Sequence, residues 1–317
     1  MRSRILALLL AGLALTGCGA QGPADRFVVA VQGVIDSAIS QDGQSAVIAS
    51  VHHGGSLWDL NARGRKYNWN HAQGEYTTLR AVAISGDGSR ALTIKDSDLV
   101  VWDARTGQAL NFWRAPDKVL SATLSQSGHR ALMGLQNNRA IYFDVDRGQT
   151  LYTFDHEAEV YGVALSADDR YALTGSDDFK GRLWRLDTGE LVHTFAHRNQ
   201  VKTVALSPDG KLALTTSQRE DVVLWDTESG NARNRLAFTY KNFVSARFSE
   251  DGRQLLLGGF QGDVYLMDTN SGSELAHWQM QPKKVVGRSS KAIDSLAFNG
   301  SKVVAVTSDG QVQFFQK

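Results

Sequence analysis

Short apolar runs, each bounded by Gly, Asp, Asn or Ser, recur along this chain in a block that repeats seven times. The block is an apolar strand ending in Ser, a turn on Asp-Gly, a second apolar strand, and a third strand closing on an aromatic residue and Asp. The turn position is Ser40, Ser85, Ser125, Ser166, Ser207, Ser249 and Asn299, and the closing position is Trp58, Trp102, Phe143, Trp184, Trp225, Met267 and Phe315. Both markers step by about 40 to 50 residues, the period of propeller repeats. The fifth block is the clearest, with strands from Val201 to Ser207, Leu212 to Ser217, Val222 to Trp225, and a fourth through Leu236 and Phe238. Tight hairpins demand positive φ, and 30 Gly against 4 Pro supply it. Such sheets cannot bury both faces alone. Radial packing buries them and leaves only short edges. The predicted fold is therefore all-β, a single seven-bladed β-propeller spanning 26–317.

These residues resemble the WD-repeat β-propeller family, whose signature pairs Gly-His before the first strand with Trp-Asp at the end of the third. Trp58-Asp59, Trp102-Asp103 and Trp225-Asp226 match the second half, while Phe143-Asp144 and Met267-Asp268 depart from it. His156 stands 20 residues before Ser176 and 28 before Trp184, and His197 stands likewise before Ser217 and Trp225. The resemblance implies a buried His, Ser and Trp network in both blocks. It also implies ring closure by the N-terminal strand: the seventh block stops at its third strand, and the apolar segment from Phe27 to Val31 belongs to no block.

Arg2 and Arg4 precede an apolar stretch from Ile5 to Leu15, too short to span a bilayer but suited to a secretory signal over 1–17. It ends in Leu15-Thr16-Gly17-Cys18, which resembles the bacterial lipobox, in which the Cys is acylated and becomes the mature N-terminus. Cys18 is the only Cys in the chain. Several acyl chains on it would anchor the protein durably. Residues 18–25 then form a short tether. Gly19, where an inner-membrane retention signal would carry Asp, favours the outer membrane, with the propeller facing the periplasm. A plain signal peptide cleaved after Ala20 is the alternative.

Charge agrees with that address. Lys and Arg number 34 against 33 Asp and Glu, so removing Arg2 and Arg4 leaves the mature domain close to neutral. No basic field for nucleic acid exists. With Cys18 acylated no thiol remains for a disulfide, and the fold must rest on its core and its closure.

Catalytic chemistry finds little support. Every Trp is absorbed by the repeat: Trp69, Trp113 and Trp278 fall 11 residues beyond their block's closing position, where other blocks put Phe154, Phe195 and Leu236. His52 and His53 are adjacent, so on a strand they point to opposite faces and cannot share a metal. Asp168-Asp169 and Asp177-Asp178 fall on hairpin turns where Asp is ordinary. No metalloprotease, nucleophile-elbow or phosphate-loop motif is present. The expectation is no enzyme, no cofactor and no metal.

What remains is a rigid binding platform for a protein partner in the envelope. The WD resemblance implies that residues seven and five before each turn Ser point to the face carrying the loops between blades. They include Arg80, Lys118, Leu120, Glu159, Tyr161, Lys202 and Asp294, a mixture of anchors and rim charges suited to an interface. A second candidate is the long insertion from Gln281 to Lys291, with Lys283, Lys284, Arg288 and Lys291, suited to an anionic partner or headgroup. Two alternatives stand beside the platform. One is a periplasmic propeller enzyme or a carbohydrate- or cell-wall-binding protein. The other is an accessory factor in outer-membrane protein assembly, whose propeller lipoprotein has a different repeat, so that only the role would be shared.

Overall fold

The computed structural model describes residues 20–71, 78–238, 240–283 and 291–317. Cys18 and the signal segment lie outside the described residues, as do Lys284 and Arg288. The described strands form seven four-stranded antiparallel sheets, six of them meanders of consecutive strands from the axis outwards. The second blade, for example, runs Ala81–Ile84, Arg90–Lys95, Asp98–Asp103 and Ala109–Arg114.

In five blades the repeated turn closes the inner hairpin by one device, absent from the third, where Ser127 replaces the Asp, and from the seventh, where Asn299 replaces the Ser. Ser207 Oγ donates to Asp209 Oδ1 at 2.7 Å and accepts from Leu212 N at 2.9 Å, so one hydroxyl ties both ends of the turn. Gly210 follows at φ 68°, where a side chain is strained. In the fourth blade Asp169 takes that place at φ 55°. The closing Asp has an equivalent task at the next turn: Asp103 Oδ1 accepts from Arg105 N and Thr106 N at 2.8 and 3.0 Å.

Apolar residues on the two faces of each sheet bury against the two neighbouring blades, giving seven hydrophobic clusters among the described residues. Aromatic rings bridge the seams. Trp69 of the first blade stacks on Trp102 of the second at 5.2 Å, Phe154 on Trp184 at 4.6 Å, and Phe195 on Trp225 at 4.6 Å. Indole N–H groups reach across as well, Trp69 Nε1 donating to Gly107 O at 3.0 Å and Trp113 Nε1 to Val145 O at 2.7 Å.

The seventh sheet consists of Ile293–Asn299, Lys302–Thr307, Gln311–Gln316 and, as its outermost strand, Asp25–Val28. That strand pairs antiparallel with Gln311–Gln316, Asp25 opposite Phe314 and Val28 opposite Gln311. The closing strand begins and ends earlier than the apolar run from Phe27 to Val31. After Val28 the chain must cross from the rim to the axis, so Val29 and Ala30 both donate to Gly310 O and bury in the seam with the first blade. The tether is engaged too. Gln21 N donates to His277 O at 3.3 Å and Gln279 N to Gln21 O at 2.9 Å, pinning it to the sixth blade.

Candidate functional site

The innermost strands of all seven blades line an axial cavity of about 500 Å³. At the end where the chain enters each blade, its wall carries Asp36, Arg80, Leu120, Tyr161, Lys202, Val244 and Asp294, one from each blade in turn. Arg80, Leu120, Tyr161, Lys202 and Asp294 of the expected face thus meet around one mouth. Glu159 joins them through Tyr161, whereas Lys118 lies outside the cavity wall and pairs with Asp96 at 3.7 Å.

The polar groups here are organised in two halves. Tyr161 donates its hydroxyl to Glu159 Oε2 at 2.6 Å, and Lys202 Nζ sits 3.2 Å from the centre of its ring. Lys202 also pairs with Asp177 Oδ1 at 2.6 Å, whose other oxygen accepts from Gln200 Nε2 at 3.0 Å. The hydrogen bond to Glu159, with burial, pushes the Tyr161 phenol up to about 12, and the same hydrogen bond, against burial, holds Glu159 below its ordinary range. The tyrosine is therefore an amphipathic ring clamped from two sides, its fixed pose already set before anything binds.

The opposite half is acidic. Asp36 Oδ2 accepts from Val82 N at 2.7 Å, and burial raises its pKa to about 6. Asp294 is pushed to about 8, first by burial and then by the charges of Asp36 and Asp309. Asp36 stands in none of the positions counted from the turn: it lies four residues before Ser40, one past the bulged Ile35 that is the counterpart of Leu120 and Tyr161. Asp177 comes from a hairpin loop. Both escape a reading that counts along the first strands.

The expected His networks form around threonine. His156 Nε2 meets Thr174 Oγ1 at 2.8 Å and Trp184 Nε1 donates to the same oxygen at 2.9 Å. His197, Thr215 and Trp225 repeat the pattern at 2.7 Å each, and His71, Thr93 and Trp102 form a third copy at 3.0 and 2.8 Å. Ser176 and Ser217 are therefore not the central hydroxyls. Each lies two residues further along the strand, where Ser176 donates to Ala158 O at 2.9 Å and Ser217 accepts from Asp221 N at 3.0 Å. Behind His156, burial works against the ionised form of Asp178, yet hydrogen bonds from His156 and Arg182 outweigh it and hold that carboxyl far below its ordinary value.

The insertion does not present its first lysine to a partner. Lys283 Nζ donates to Ala30 O at 2.7 Å, beside the closing strand, and burial lowers its pKa. Lys291 is exposed. Among the described residues no group of three or more His, Cys, Asp or Glu side chains gathers as a metal site.

Comparison with known families places the chain differently from the resemblance read off its repeats. The WD-repeat family is not the one that matches. The family described as outer membrane protein assembly factor BamB matches residues 95–317, from the second blade to the closing sheet. The repeat difference that separated the two in the sequence does not hold against a match over more than two thirds of the chain. No curated protein matches it. The chain belongs to the outer membrane protein assembly factor BamB family.

Proposed function

We propose that this protein is a lipid-anchored, non-catalytic docking platform in outer-membrane protein assembly, and that its propeller binds a protein component of that machinery through the mouth bearing Arg80, Tyr161 and Lys202. The observation that carries the reading is the family match over residues 95–317. The mouth adds chemical plausibility: a clamped, half-buried Tyr161 flanked by cations and by exposed Val244 is the anchor-and-rim composition that dominates interface energetics. Acylation of Cys18 supplies the membrane address, with the propeller held on the periplasmic side of the outer membrane. Crosslinking and capture from intact cells tests it. Wild type captures a component of the assembly machinery, and Tyr161→Ala and Arg80→Ala each lower affinity by at least ~1 kcal/mol with the melting temperature unchanged. Equal capture by both variants refutes the docking face, and loss of the protein without any effect on outer-membrane protein levels refutes the assembly role.

A further inference from the structure

At the other end of the axial cavity stands one long side chain. Two residues before the turn marker the blades carry Ala38, Ala83, Thr123, Ala164, Ala205 and Ala297, but the sixth carries Arg247. Its guanidinium passes the seventh blade on the lumen side and reaches the first. Nη2 donates to Ile39 O at 2.8 Å and Nη1 to Gln41 Oε1 at 3.1 Å, residues more than two hundred positions away in sequence.

These two bonds use two of the five N–H donors of a guanidinium. Neither acceptor carries a charge, and no acidic side chain among the described residues offsets Arg247, whose pKa burial alone lowers to about 10. The group stays protonated at neutral pH, and a half-buried cation facing the cavity without an opposite charge is left for water or an anion to satisfy. Gln41 adds to the imbalance: with Oε1 engaged by Arg247, its NH₂ is left as a donor at the same level of the cavity wall. A structural tie between the first and sixth blades needs no charge. An uncompensated, donor-only cluster in a cavity of this size matches a small oxyanion.

We propose that Arg247, with Gln41, forms an oxyanion-binding site at the turn end of the axial cavity, able to take a carboxylate or an inorganic phosphate. The planar fork of Arg suits both, since each presents two oxygens to paired N–H groups. The site is separate from the mouth where a protein partner docks and does not depend on that docking.

The test titrates inorganic phosphate, and acetate in a parallel arm, into the purified full chain at ionic strength held constant with chloride, reading heat and melting temperature. Wild type is expected to bind with one-site saturation and a rising melting temperature. Arg247→Gln, which keeps a hydrogen-bonding side chain without the charge, weakens binding at least tenfold, and Gln41→Ala weakens it severalfold with the fold intact. Preference for phosphate identifies a free ion, and preference for acetate identifies a carboxylate. Absence of saturable binding of either anion by wild type, or undiminished binding by Arg247→Gln, overturns the proposal and leaves Arg247 as a tie between blades.

Discussion

Asp294 should make this protein less stable as pH rises through neutrality, and Asp294→Asn should remove that dependence. In the unfolded chain the carboxyl ionises near 3.8, whereas in the folded lumen, desolvated and facing Asp36 and Asp309, it holds its proton to about 8. A folded-state pKa raised above the unfolded one gives stability that is fully present below about 4 and is lost as pH climbs to 8. Each pH unit between those limits costs about 1.4 kcal/mol, so pH 5 to pH 8 costs about 4 kcal/mol at most. Solvent at the open mouth screens the group, and roughly 2 kcal/mol is the expected loss. Asp36, raised to about 6, titrates with it, so the pair shares the effect. Urea unfolding of wild type and Asp294→Asn at pH 5, 6, 7 and 8 isolates Asp294 and its coupling to Asp36, because titrations independent of that pair cancel in the difference. The variant should gain on wild type by roughly 2 kcal/mol across that range. A difference that stays constant with pH refutes the account of the acidic half of the mouth.

Three further outcomes follow from the seams and the anchor. Thr174→Val removes the hydroxyl that both His156 and Trp184 meet, and should cost about 2 kcal/mol in chemical denaturation, with Thr215→Val giving a similar loss. Deleting residues 20–31 strips the outermost strand of the seventh blade together with Val29 and Ala30, and should cost several kcal/mol or cause aggregation; deleting 20–24 alone removes the Gln21 and Ala24 bonds and should cost about 1 kcal/mol, both read as melting temperatures. Cys18→Ala should abolish palmitate labelling and release the protein from the membrane fraction, whereas label persisting on the variant excludes acylation at this residue.

The architecture was readable because two markers on one strand cycle survive in every block, and a marker that keeps phase seven times is hard to mistake. The side-chain networks were less so. Thr174 and Ser176 lie on the same face of one strand, two residues apart, so spacing alone could not say which hydroxyl meets the histidine. Counting back from Ser40 reaches Ile35, the bulged residue equivalent to Leu120 and Tyr161, and passes over Asp36 one place further along, because only the charge of its own blade singles that position out. Lys283 reads as part of a basic loop, yet its charge is spent on backbone carbonyls of the closing segment, a contact across most of the chain. Arg247 is visible in the sequence as the one long side chain among five alanines and a threonine. That it crosses to the first blade is not, since nothing local encodes a bond between the sixth blade and Ile39.

The pairing of Asp25–Val28 with Gln311–Gln316 also fixes the order in which the molecule can become whole. Six sheets are made from contiguous sequence and can form as soon as their own residues are available. The seventh must wait for partners from opposite ends of the domain, and joining ends so far apart carries the largest loop-closure entropy in the chain. Until that moment both the edge of Gln311–Gln316 and the apolar faces of the first and last blades stay open to other molecules. The seam is thus the late, slow step of folding and the place where this propeller is most exposed to misassembly.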